Sequence, residues 1–220
     1  MRRWAVIVAS LAVSTGARAQ LVESTIPPAG DLNWSMTAGR TVGYGNSALG
    51  VEAGWPGINF NYLHGFDERT DWGFHVGLNY GLQGTDQTMA GLNIGIPYRH
   101  TLGTIGDTAF AFEATPGIFI YSNDGARVGF GGPLGVVAAF KLDPRLTFDI
   151  GAEIPILLSV SNPAGFLFGP QFGLGGEFLL DRNLAVTARF RVGPMFSLDT
   201  QDTNTATGFT ALVGLAYNLR

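Results

Sequence analysis

In WGFHVGLNYGLQG, residues 72–84, the large apolar side chains Trp72, Phe74, Val76, Leu78, Tyr80 and Leu82 alternate with the small or polar Gly73, His75, Gly77, Asn79, Gly81 and Gln83. A period of two puts alternate side chains on opposite faces of an extended strand, and a helix cannot satisfy it. The same pattern recurs over 33–44, 57–64, 88–98, 108–120, 128–140, 146–156, 166–178, 184–196 and 209–219, with Asp, Asn, Pro and Gly between the segments. The spacing predicts an all-β chain of ten two-faced strands. What covers the apolar face is then the deciding question.

Composition bears on that question. Charged residues make up 14% of the 220 residues, against roughly 25% in soluble domains, so the second face is too poor in Lys and Glu to serve as a solvated exterior. The segments also exceed the usual five or six residues of a globular strand and suit the roughly 9 to 11 of a tilted membrane-spanning one. Trp72 and Tyr80 lie eight residues apart on one face, as do Phe209 and Tyr217, while Trp34 and Tyr44 are ten apart. Eight steps along a tilted strand rise roughly 20 Å, close to the apolar band of a membrane barrel, whose margins collect aromatic residues. Trp34, Tyr44, Trp72, Tyr80, Tyr98, Phe209 and Tyr217 are therefore expected to form aromatic girdles. The fold expected is a closed antiparallel up-and-down transmembrane β-barrel of about ten strands, with eight as the smaller alternative.

The start of the chain agrees. Arg2 and Arg3, an apolar run from Trp4 to Val13 and the site Ala17-Arg18-Ala19 read as a signal peptide over 1–19, leaving a single barrel domain over 20–220. With no cysteine the exported chain has neither disulfide nor thiolate chemistry. Loss of Arg2, Arg3 and Arg18 would take the formal charge from -4 to -7, which argues against nucleic acid as a partner. From an N-terminus on the periplasmic side, the short turns should follow even-numbered strands; LDPR (142–145) and LDRN (180–183) do, whereas 65–71 and 99–107 are longer than expected, and 45–57 reads as a surface loop.

The closing LVGLAYNLR resembles the terminal assembly signal of bacterial outer-membrane β-barrel proteins, with Gly214, Tyr217 and Leu219 at the matching positions, although the chain ends in Arg220 in place of an aromatic residue. The chain is similar to the small outer-membrane protein β-barrel-domain family. The resemblance implies residence in the bacterial outer membrane, contact with the lipid bilayer and lipopolysaccharide, and recognition of the last strand by the barrel-assembly machinery; it names no activity.

Any chemistry should lie on the inward face, where His75, Glu113, Asp149, Glu153, Glu177, Arg189 and Arg191 are expected to form a polar network, with Lys141 also on that face. Glu177 should fall opposite or diagonal to Arg189, within reach of a cross-strand ion pair. A barrel of this size is just wide enough for side chains to fill, so the expected protein is structural, a surface protein, or a narrow porin-like passive channel beside inward glycines. Two further readings are a barrel enzyme acting on lipid or peptide and a soluble secreted barrel that binds an apolar ligand. His75 has no serine beside it in sequence, so no catalytic residue is expected. Nor is a cofactor or metal: Asp199 and Asp202 are a weak metal pair, and GFGGPLG (129–135) lacks the Lys-Ser/Thr of a phosphate loop. Arg40 interrupts the first apolar face and marks either a bulge or a side chain reaching for headgroups.

Overall fold

Alternation along the chain becomes one closed sheet. The computed structural model describes residues 34–83, 87–122, 125–161, 164–199 and 203–219. The expected signal peptide, Asp202 and Arg220 lie outside the described residues, as does the Asp199 side chain. The strands are β1 (Ser47–Trp55), β2 (Gly57–Gly65), β3 (Thr70–Gly81), β4 (Thr88–Gly95), β5 (Tyr98–Ile105), β6 (Thr108–Ala114), β7 (Gly117–Ser122), β8 (Ala126–Lys141), β9 (Leu146–Ser159), β10 (Gly165–Phe168), β11 (Gln171–Leu179), β12 (Leu184–Asp199) and β13 (Thr203–Asn218). Each strand pairs antiparallel with its neighbours, and β13 returns to β1 from Trp55 opposite Ala211 to Ala48 opposite Asn218.

Thirteen strands make ten spans because prolines interrupt three of them. The ladder between β4 and β5 breaks at Pro97, that between β6 and β7 at Pro116, and that between β10 and β11 at Pro170, where proline has no N–H to contribute. Pro133 on β8 stands opposite Pro155 on β9, and β12 carries Pro194. From the fourth span to the ninth, every span thus carries a proline in its interior. All-β architecture, closure and the number of spans agree with the sequence reading.

The faces also sort as the alternation predicts. Trp72 and Phe130 are 50% and 56% exposed on the outside, whereas Asp149 and Glu177 are 2% and 3% exposed within the barrel. The turns at the end where the described chain begins at Trp34 and stops at Leu219, the terminal end, are all short. In three of them an aspartate accepts the backbone N–H two residues on, Asp67 from Arg69 at 2.7 Å, Asp143 from Arg145 at 2.6 Å and Asp181 from Asn183 at 2.7 Å. Such local capture by Asp is what fixes a tight turn. The fourth is Gly106-Asp107, with Gly106 at φ 58°, a left-handed conformation that favours glycine. The apparent excess at 65–71 and 99–107 disappears because β2, β3 and β5 run further than their apolar residues suggest.

The first span is the main correction. Residues 33–44 are expected as a strand, but from Trp34 to Gly43 the described chain is irregular and lies inside the barrel; 45–57, expected as a loop, contains β1, separated from β2 by Pro56 alone. Trp34, Met36 and Val42 pack with Ala48, Leu63, Leu179, Ala185 and Ala216 in one buried cluster. Inward alanines leave room at this end for the inserted segment. A buried apolar stripe thus imitates an outward strand face.

Candidate functional site

The lumen is built in three levels. At the terminal end, residues 34–42 form a plug whose backbone polar groups need partners once removed from water. Glu177 supplies one set, accepting the Ser35 hydroxyl at 2.9 Å and the backbone N–H groups of Met36 at 3.1 Å and Thr37 at 3.2 Å. Arg99 supplies the other, its Nη2 donating to the Ser35 carbonyl at 2.7 Å and its Nη1 to the Ala38 carbonyl at 2.8 Å. Asp71 accepts Arg99 Nε at 3.0 Å and the Val42 N–H at 3.2 Å, and Trp34 Nε1 donates to the Arg182 carbonyl at 2.9 Å. Arg40 reaches the Asp107 carbonyl at 3.4 Å from this plug and lies in no strand, so the strand bulge offered for it falls away.

At the opposite end, Met89, Phe119, Tyr121 and Leu157 form a second buried cluster inside the barrel, with Leu82 and Leu167 against it. Asn79 Nδ2 donates to the Tyr121 hydroxyl at 2.8 Å. Gly91 and Gly129 are small because the Tyr121 and Phe119 rings occupy the space a Cβ would need. These two inward glycines therefore make room for side chains.

Between these ends lies a cavity of about 140 Å³ with a mixed polar and apolar lining. One side of it is a hydrogen-bonded row: Arg189 Nη2 donates to Glu52 at 3.3 Å, Asn61 Nδ2 donates to Glu52 Oε2 at 3.3 Å, and His75 has Nδ1 2.7 Å from Asn61 Oδ1 and Nε2 2.9 Å from Asn93 Oδ1. Arg191 and Asp149 pair at 3.0 Å, both almost fully buried. Glu113 and Glu153 line the cavity from β6 and β9, and neither accepts a hydrogen bond or forms a salt bridge among the described residues.

All seven expected network residues lie inside, but their pairing differs from expectation. Glu177 does not meet Arg189: it stands opposite Thr187 and spends its carboxylate on the plug, while Arg189 stands opposite Gly175 and turns to Glu52. Three further ionisable members, Glu52, Asp71 and Arg99, were not expected. Glu52 alternates correctly with Leu49, Val51 and Ala53, but its segment is too weakly apolar to read as a strand. His75 sits between two asparagines, which position its ring and offer no nucleophile.

Outside the barrel, Trp72, Tyr98, Tyr217 and Tyr62 project near the terminal end. Near the other end Trp55 stacks on Phe209 with centroids 5.6 Å apart and meets the edge of Tyr80 at 5.6 Å. Tyr44 is exposed beyond the strands, whereas Trp34, expected on this outer surface, is buried in the plug. Trp55 and Tyr62 join the expected set. No protein-family model and no curated protein matches the chain.

Proposed function

We propose that the chain is an integral protein of the bacterial outer membrane, a barrel with a closed lumen acting as a structural or surface protein of the envelope. The observation that carries this reading is the distribution of side chains. Large apolar residues occupy the outside of every span, and the carboxylates and guanidiniums of the spans turn inward. A water-soluble barrel would leave this belt solvated, at roughly 25 cal/mol for each Å² of apolar surface. Aromatic groups near both margins and the terminal Gly214, Tyr217 and Leu219 support the same reading. In the spans Tyr217 projects outward while Gly214 lies against Glu52, as a last strand meeting the first requires.

The plug and the Phe119 and Tyr121 cluster favour a closed barrel over an open pore. The His75 surroundings favour a non-catalytic protein. Membrane fractionation with unboiled and boiled gel samples tests the assignment. Recovery in the outer-membrane fraction as a compact, heat-modifiable band is expected, and recovery in the soluble periplasmic fraction would overturn it. Planar-bilayer recording is expected to show no steady conductance, and steady conductance would replace the closed barrel with a channel.

A further inference from the structure

We propose that the cavity behind the plug is a binding site for a small organic cation carrying one or two primary ammonium groups. The inference needs the chamber and not the bilayer, so it stands apart from the membrane assignment. It begins from charge. Among the described inward residues Arg99 is matched by Asp71, Arg189 by Glu52 and Arg191 by Asp149. Glu177 is engaged by the plug. Glu113 and Glu153 make no hydrogen bond or ion pair among the described residues; both face the same cavity, and the one cation whose field reaches both, Arg189, is also shared with Glu52 and Asp149. Half-buried carboxylates that outnumber the guanidiniums beside them repel one another, and a barrel that served only as a scaffold would gain by losing them.

A second observation points the same way. Asn59 lines the cavity at 8% exposure, and its side chain has no hydrogen-bond partner among the described residues. Its Oδ1 lies over Gly77, beside the Asn93 Oδ1 that faces His75, in space that a Cβ there would take. Thr210, 7% exposed, lines the same space with its hydroxyl likewise unpartnered. Two carboxylates, an amide oxygen and a hydroxyl oxygen are four groups that can accept. An ammonium group brings three donors and a positive charge, which these four can receive.

Spacing and size select the class further. Glu113 stands opposite Gly135, and Gly135 opposite Glu153, so the two glutamates lie two strand spacings apart across a residue with no side chain. That separation, roughly 9 to 10 Å between backbones, suits a guest with two cationic ends better than a bare metal ion. The cavity, about 140 Å³, has room for on the order of ten waters or a guest of a few heavy atoms. Met36 and Thr37 of the plug form part of its wall, so the plug is the lid through which such a guest would pass.

The test is calorimetric titration of the full chain, refolded in detergent, with 1,3-diaminopropane at fixed ionic strength. Neutral 1,3-propanediol and magnesium chloride serve as comparisons. Saturable binding of the diamine is expected, with none of the diol and at least tenfold weaker binding in Glu113→Gln and in Glu153→Gln. Glu68→Gln, in a terminal-side turn, should bind as the parent does. Heat-modifiable migration reports that each variant is folded, and a Glu177→Gln variant with a loosened plug is titrated in parallel so that a shut lid cannot hide a site. As an independent readout, Glu113→Gln and Glu153→Gln should raise the melting midpoint in the absence of amine. Absence of saturable diamine binding in both the parent and the loosened variant would overturn the proposal, as would magnesium binding in its place or undiminished binding in both glutamine variants.

Discussion

Glu177 receives the Ser35 hydroxyl at 2.9 Å, tying β11 to a residue 142 positions earlier in the chain. The same carboxylate holds the next two backbone amides, while Arg99 holds the Ser35 and Ala38 carbonyls. Glu177→Ala should release it at a cost of about 2 to 3 kcal/mol, since charged hydrogen bonds are lost and buried amides are left unpaired. Limited trypsin treatment followed by mass spectrometry should show rapid cleavage after Arg40 in the variant and slow cleavage in the parent. Equal rates would mean that Arg99, Asp71 and packing hold the plug without Glu177.

Packing has its own share. Trp34 is 4% exposed against inward alanines. Trp34→Ala should destabilise the barrel by about 3 to 5 kcal/mol through the cavity it leaves. Urea midpoints read from the folded band on unboiled gels measure this.

Asp149 and Arg191 are buried together at 3.0 Å. Asp149→Ala strands a guanidinium and should cost about 3 to 5 kcal/mol, whereas Asp149→Leu combined with Arg191→Met should recover most of that loss. Urea midpoints of the single and double variants decide whether the pair acts as a unit.

Leu174 projects from mid-span and is 51% exposed on the outer face. In phospholipid vesicles Leu174→Arg should cost about 2 to 4 kcal/mol, the penalty of a charge near the bilayer midplane. A change near zero in vesicles would argue against lipid at this surface.

Asp67 sits in the turn after β2, where the Arg69 backbone N–H holds its carboxyl below the usual carboxylate range. A folded-state value lower than the unfolded one means the turn's contribution is present at neutral pH and fades as pH falls through the folded value. Stability measured from pH 7 downward should fall less steeply in Asp67→Asn than in the parent.

Alternation made most of this architecture readable, because each span from β2 onward carries bulky apolar residues on its outward parity and mostly small or polar ones on the other, with Met89, Phe119, Tyr121 and Leu157 as inward exceptions. It misplaced the first span for a physical reason. Trp34, Met36, Ala38 and Val42 have the periodicity of an outward face, but their apolar surface is covered by the alanine-lined lumen. Leu49, Val51 and Ala53 are weaker in hydrophobicity yet form the true first strand. Missing that strand concealed Glu52, and with it the real partner of Arg189. Asp71 and Arg99 escaped notice because both lie where apolar alternation fades toward a turn. The turn Phe66-Asp67-Glu68-Arg69 has the same design as LDPR and LDRN, and only its opening aromatic residue disguised it.

The first strand of the cylinder has the last strand as its neighbour, joined by the pairs from Ala48 opposite Asn218 to Trp55 opposite Ala211. The ring therefore cannot seal while the polypeptide is still being made. Until its final dozen residues are available, β1 presents an unpaired edge together with a growing greasy surface, the combination that invites clumping. A factor that shields both until β1 meets β13 would raise the yield of closed barrel on refolding.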